Sequence, residues 1–211
     1  LLTAEQIEAG VPTVAPPPAP PAEDAPAPTP AYAPEAGMVR LQILLDRSRF
    51  SPGVIDGLGG ENTRHAIAAW RKANDLGEGG AADADLLQRL AAADAGPVMT
   101  RYTLTAADIA GPFSPPPTGE LGDLARDGVH FTSPLERLAE RFHVTEALLQ
   151  GLNPGVDFRR AGQTIVVPAV NDTPLTGVAR IVIDKTERSA RAYDEAGTML
   201  AFYPATIGSS E

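Results

Sequence analysis

VRLQILLDRSRFSPGVIDGLGGENTRHAIAAWRKANDL, Val39 to Leu76, is built from two apolar stripes with turn residues between them. Leu41, Leu44 and Leu45 recur at helical spacing, as do Ala66, Ile67 and Trp70, so the spacing predicts two short helices, each with one face to bury. Between them, Ser51-Pro52-Gly53 and Asp56-Gly57 force the chain to double back. Proline presets φ, glycine takes positive φ, and the Asp side chain bonds nearby backbone N–H groups. Gly60 followed by Asn62-Thr63 predicts a polar N-cap for the second helix. A third stripe, Leu86, Leu87 and Leu90, closes a small three-helix bundle.

These residues resemble the three-helix peptidoglycan-binding domain: Leu41-Gln42, the Ile55-Asp56-Gly57 turn, Gly60 with Thr63, Ala66-Ile67, and Trp70 ahead of Leu76. The sequence departs from the family at Trp70-Arg71, where Phe-Gln is usual. The resemblance implies a bundle over residues 38–94 that contacts peptidoglycan around Asp56, Gly57, Asn62 and Arg64.

Composition narrows the function classes. The 211 residues carry a formal charge of -10, which argues against a nucleic-acid backbone as partner. No cysteine is present, which removes disulfides, thiolate metal sites and a Cys nucleophile from these residues. No apolar run approaches the roughly 20 residues that span a bilayer. The chain has no initiator Met and ends at Ser209-Ser210-Glu211, so it is read as a fragment of a longer protein. Aromatic content of 5% allows only thin cores, so several small modules are expected rather than one large domain.

In chain order, residues 1–10 suggest a turn of helix with Thr3 as N-cap and Leu2 and Ile7 as apolar contacts, marginal on its own in water. Val11 to Pro34 is nearly all Pro, Ala and Thr, which cannot bury enough surface to offset chain entropy; residues 1–37 are read as a polyproline-like spacer region. Met99 to Thr105 reads as a strand, and the proline-rich run after Gly111 as a loop. Leu135, Leu138, Ala139 and Phe142 mark an amphipathic helix with Ser133 as N-cap and Pro134 at its first position. Thr145 caps a second helix carrying Leu148, Leu149 and Leu152, Asn153-Pro154-Gly155 stops it, and Thr164 to Pro168 reads as a strand.

Strand, two helices and strand, with LERLAERFHVTEALLQGLNPGVDFRRAGQTIVVP from Leu135 to Pro168, resemble the LysM module. The resemblance places that module at 98–170, its first strand supplied by Tyr102-Thr103-Leu104 with Ala107-Asp108, and an inserted loop at 109–129. It implies a glycan ligand held by turn groups near Thr132, Ser133, Asn153 and Pro154; Asn153-Pro154-Gly155 reads equally as a simple helix stop. Arg159 and Arg160 read as a solvated pair.

Three strand-like runs, Arg180 to Ile183, Ser189 to Tyr193 and Met199 to Tyr203, predict a β-meander. Residues 178–211, with Ile181-Val182-Ile183-Asp184, Ala192-Tyr193-Asp194 and Pro204-Ala205-Thr206-Ile207-Gly208, resemble the first strands of the L,D-transpeptidase (YkuD-like) catalytic domain. That family cross-links peptidoglycan through a Cys nucleophile, and neither it nor the accompanying His signature lies in this chain. Three strands of an unfinished sheet are expected to leave their edges uncovered, with disorder or pairing between chains as the outcome.

The fold class expected is therefore α+β and multi-module: a three-helix bundle, a βααβ unit and the first strands of a β-rich domain. The function the resemblances imply is the peptidoglycan-binding portion of a periplasmic or cell-envelope L,D-transpeptidase, a monomer whose partners are glycan strands and stem peptides. A non-catalytic wall anchor and the targeting region of a murein hydrolase remain open alternatives. No catalytic residue, metal or cofactor is expected here. His65, His130 and His143 have no metal-site spacing, and Asp56 and Glu61 read as turn and cap groups rather than an acid/base pair.

Overall fold

The computed structural model describes residues 2–13, 32–115 and 130–207. Residues 14–31 of the expected spacer and most of the expected insert lie outside them; the spacer expected over 1–37 is corrected at its ends, where Ala4–Ala9 is helical and the bundle's first helix already begins at Ala36. The described residues form a mixed α+β chain with seven helices and two small antiparallel sheets.

Helices α2 (Ala36–Arg47), α3 (Glu61–Ala73) and α4 (Ala84–Ala93) make the bundle. Their predicted stripes are its interior: Leu41, Leu45, Ala66, Ile67, Leu86 and Leu90 are all at most 2% exposed. Burying each large aliphatic side chain contributes about 2 kcal/mol. Asp83 caps α4, accepting the Leu86 N–H (2.8 Å), and its other oxygen takes the Arg71 guanidinium (2.9 Å), which fastens α4 to the end of α3. The expected Asn62-Thr63 cap is corrected. Helix α3 begins at Glu61 with Gly60 at its N-cap and no side-chain cap bond, because Thr63 is buried one turn in and its hydroxyl meets Gln42 instead.

Helix α1 (Ala4–Ala9) has the expected Thr3 cap, a full capping box with Gln6. Tertiary contacts make it viable. Ile7 is wholly buried, Glu8 Oε1 accepts the Met99 N–H (2.8 Å), and the chain after α1 crosses the start of α2 backbone to backbone. A Cβ on Gly37 would lie 2.1 Å from the Val11 carbonyl carbon.

Strands β1 (Met99–Thr103) and β2 (Thr164–Pro168) pair antiparallel, Met99 opposite Pro168 and Thr103 opposite Thr164. Between them lie α5 (Ala106–Ile109), α6 (Pro134–Arg141) and α7 (Glu146–Leu152), the last two capped by Ser133 and Thr145. Ala107 and Asp108 belong to α5 rather than to the strand. Thr105 and Asp108 form a capping box there, and a helical turn satisfies their polar groups where a strand would not.

Strands β3 (Arg180–Asp184), β4 (Ser189–Tyr193) and β5 (Met199–Pro204) form the meander, in the order β3-β4-β5. The expectation of uncovered edges is corrected at β5. There the Ser51 N–H donates to the Phe202 carbonyl (2.8 Å) and the Phe202 N–H to the Arg49 carbonyl (2.9 Å). Phe202, 2% exposed, joins the same buried cluster as the bundle and the βααβ unit. On β3, Ile181 and Ile183 remain 65% and 56% exposed.

Gly37→Ala forces the Val11 segment off α2. Loss of protection from amide exchange in residues 4–9, with a global cost of about 1–3 kcal/mol in urea denaturation, is the expected outcome.

Candidate functional site

The turn between α2 and α3 is organised by one buried amide. Gln42, on α2 and 1% exposed, has its Oε1 facing the N–H groups of Asp56 (3.2 Å) and Gly57 (2.8 Å). Its Nε2 donates to Asp56 Oδ1 (2.9 Å) and the Leu58 carbonyl (3.0 Å) and lies 3.3 Å from Thr63 Oγ1. One side chain thus holds the turn against both helices. Asp56 Oδ1 also accepts the Leu58 N–H (2.8 Å), the bond its turn position predicted. Gly57 needs its φ of +74°, and a Cβ there would come within 2.6 Å of Pro34.

Around this turn the surface opens into two adjoining clefts. One, about 390 Å³, is lined by Asp56 and Asn62 with Val54 and Leu58, whose apolar side chains are 53% and 42% exposed. The other, about 410 Å³, is lined by Gly57 and Arg64 with Met38 and Ile67. Leu58, Gly60 and Thr63 border both clefts. The four bundle residues singled out in the sequence therefore gather at one end of the bundle. Gln42, which positions Asp56 and Gly57, shows in the sequence only as a polar side chain inside an apolar stripe.

The four residues of the βααβ unit are placed differently. Ser133 Oγ accepts the Glu136 N–H (3.0 Å) as the cap of α6, and Thr132 donates from both N–H and hydroxyl to Glu136 Oε2. Asn153 is 6% exposed. Its Nδ2 donates to the Leu149 and Val166 carbonyls (2.9 and 2.8 Å) and its Oδ1 accepts the Val166 N–H (2.6 Å), so the side chain ties α7 to β2. Pro154 borders an open groove of about 760 Å³ between α1 and β1. Arg159 and Arg160 are exposed.

Where the insert leaves and rejoins this unit, Arg137 holds both ends. Its Nη1 donates to the Ala107 and Ala110 carbonyls (2.9 and 2.6 Å), and its guanidinium lies 4.8 Å from the Phe113 ring centroid and 5.4 Å from that of Phe131. The Ser114 N–H donates to the Phe131 carbonyl (3.1 Å). Nearby, Asp108 is buried and accepts from the Tyr102 hydroxyl, the Thr105 N–H and hydroxyl, and Arg141. Burial pushes its carboxyl up, but the bonds from Tyr102 and Thr105 and the Arg141 charge outweigh that and hold it below the ordinary range.

The bundle and the βααβ unit are docked. The Ile55 N–H donates to the His143 carbonyl (2.7 Å) and the Thr145 N–H to the Ile55 carbonyl (3.1 Å). Beside them His143 Nδ1 lies 2.9 Å from Asp46 Oδ2, a carboxylate whose side chain is 8% exposed. The Asp46 hydrogen bond raises the His143 pKa; burial opposes it, and the charges of Asp46, Asp172 and Glu140 reinforce it. The helix-end position of His143 was legible in the sequence, but its partner on another unit was not.

Among the described residues no group of His, Asp and Glu is arranged to hold a metal ion, and no helix is long and apolar enough to cross a membrane. No protein-family model matches the chain, and no curated protein matches it.

Gln42→Ala leaves the Asp56 and Gly57 N–H groups and the Leu58 carbonyl without their partner. A loss of about 3 kcal/mol in urea denaturation, with faster amide exchange across residues 55–58, is expected. For His143, a folded-state pKa above the ordinary 6.5 means that the contact stabilises fully below that value and is lost as pH rises through the raised one. Melting temperature should therefore fall as pH rises above about 6.5, and Asp46→Asn should flatten that part of the profile.

Proposed function

We propose that this chain is the murein-targeting portion of a bacterial L,D-transpeptidase of the cell envelope, holding glycan strands and stem peptides near a thiol acyltransferase domain whose catalytic residues lie outside it. The observation that carries this reading is the gathering of Asp56, Gly57, Asn62 and Arg64 around one rigid, Gln42-held turn at the mouth of two open clefts. Exposed Val54 and Leu58 beside the polar groups of Asp56 and Asn62 suit a sugar or lactyl-peptide, which offers an apolar face and hydrogen-bonding edges together.

The βααβ unit supports the same reading. Its strands pair in full register across the insert, and its two main helices carry the Ser133 and Thr145 caps read from the sequence, in the strand-helix-helix-strand order of the LysM resemblance. Two weak wall contacts on one chain make the second effectively intramolecular. In this scheme Asn153 is a framework residue, and ligand contacts at its turn fall to Pro154 and the backbone.

The test is co-sedimentation of the 211-residue chain with purified, protein-free sacculi. Retention is expected, reduced about tenfold by Asn62→Ala combined with Val54→Ala, two exposed changes in the cleft wall, at unchanged melting temperature. A chain that stays in the supernatant overturns the proposal.

A further inference from the structure

The meander has two outer edges, and the chain covers one of them. At β5 the Phe202 N–H and carbonyl are taken by Arg49 and Ser51. At the other edge β3 pairs with β4 alone, in the order β3-β4-β5. Its sequence, Arg180-Ile181-Val182-Ile183-Asp184, is β-branched at all three central positions and charged only at its ends. No proline or register shift interrupts it, so nothing in the strand itself blunts that edge. Ile181 and Ile183 stand on one face of it, each more than half exposed.

This strand is complementary to itself. Laid antiparallel to a second copy with Val182 on the two-fold axis, it sets Arg180 of each copy opposite Asp184 of the other, and Ile181 opposite Ile183. Opposite residues in such a pair stand about 5 Å apart at Cβ. Centring the pair on Ile181 or on Ile183 instead sets a charged end against Val182, so one register is selected. Among the described residues neither Arg180 nor Asp184 forms an ion pair. The Arg180 guanidinium lies 4.7 Å from the Tyr193 ring centroid, and Asp184 Oδ1 accepts the Thr186 and Glu187 N–H groups (2.9 Å each), which fixes both charges at the strand's ends. The chain's net charge of -10 does not oppose the approach here. From Arg180 to Pro204 the cations Arg180, Lys185, Arg188 and Arg191 balance Asp184, Glu187, Asp194 and Glu195.

We propose that two copies of this chain join through β3 in a symmetric antiparallel pair, two three-stranded meanders making one continuous sheet. A two-fold contact of this kind uses the same patch on both copies and closes on itself. Because Arg49 and Ser51 occupy the β5 edge of each copy, growth stops at two. Ile181 and Ile183 of both copies form one apolar cluster across the joint, flanked by an ion pair at either end. With a five-residue strand from each side, the joint is small for a specific interface, so the pairing is reversible. It departs from the monomer that the family resemblances imply, and it does not rest on the murein reading.

The experiment is sedimentation velocity of the 211-residue chain from about 1 μM to about 300 μM. A reversible equilibrium between monomer and dimer is expected, half complete at about 10–100 μM, with no larger species. Arg180→Glu sets like charges opposite each other at both ends of the joint, and Ile181→Lys puts a charge into the apolar cluster. Both positions are exposed, and each change is expected to weaken pairing about tenfold or more with the circular dichroism spectrum unchanged. Register is read separately. The chain has no cysteine, so Ile181→Cys and Ile183→Cys variants each carry a single thiol. Mixed and oxidised, they are expected to link to each other rather than to themselves, because like positions lie diagonally, about 7–8 Å apart and beyond disulfide reach. A chain that stays monomeric over the whole range, growth past the dimer, indifference to Arg180→Glu and Ile181→Lys, or self-linked dimers as abundant as mixed ones would each overturn the proposal.

Discussion

The architecture hangs on how α2 ends. Its last turn closes with the Phe50 N–H on the Leu45 carbonyl (3.0 Å) and the Arg49 N–H on the Asp46 carbonyl (2.9 Å), with Arg49 at φ +69°: a Schellman turn built on a residue other than glycine. Helix α6 ends the same way, the Val144 N–H on Ala139 and the His143 N–H on Glu140, with His143 at φ +56°. In both cases the residue after the left-handed one makes the joint to another unit. Phe50 bridges to Phe202 of the meander, and Val144 bridges to Ile55 of the bundle. A left-handed conformation costs an ordinary residue about 1–2 kcal/mol. Each site offsets it with the two backbone bonds across its joint and with a side-chain partner, Thr173 for Arg49 and Asp46 for His143.

The same end of α2 gathers the remaining connections. Arg47 holds Asp94 at the end of α4 and the Pro97 carbonyl, and its own carbonyl accepts from Asn171 in the linker to the meander. Within one helical turn, Asp46, Arg47, Arg49 and Phe50 therefore touch all three units. This explains how units with few aromatic residues share one buried cluster running from Ile7 to Phe202. Each lacks the apolar area to stand alone comfortably, and the joints let them pool it.

Legibility in the sequence followed the range of the interactions. Periodic stripes and side-chain caps act over three or four residues, so α2 to α4, α6, α7, the Thr3, Ser133 and Thr145 caps and the three meander strands could all be read. The ends of α2 and α3 could not, because the usual C-terminal glycine signal is absent at Arg49 and Asp75, which take positive φ under tertiary support. Thr63 misled as a cap because its hydroxyl serves a residue on another helix. At the candidate site, Asp56 and Gly57 announced themselves through turn chemistry, whereas Gln42 and Arg137 act on segments 14 or more positions away and carry no local signature.

Docking also constrains how the chain could hold a ligand. Had the units been beads on flexible linkers, each would meet a ligand independently, and effective concentration would depend on linker length alone. Here the Ile55–Val144 and Phe50–Phe202 bridges fix the bundle clefts relative to both the βααβ unit and the meander. A polymer spanning them must match one spacing, and it loses less freedom in doing so because the protein is already ordered. On the reading proposed here, the left-handed turns at Arg49 and His143 are thus where conformational strain is exchanged for geometric selectivity. The Asp46–His143 contact makes one of those two joints the pH-dependent one, since the Phe50–Phe202 joint is held by backbone bonds and apolar burial that do not titrate.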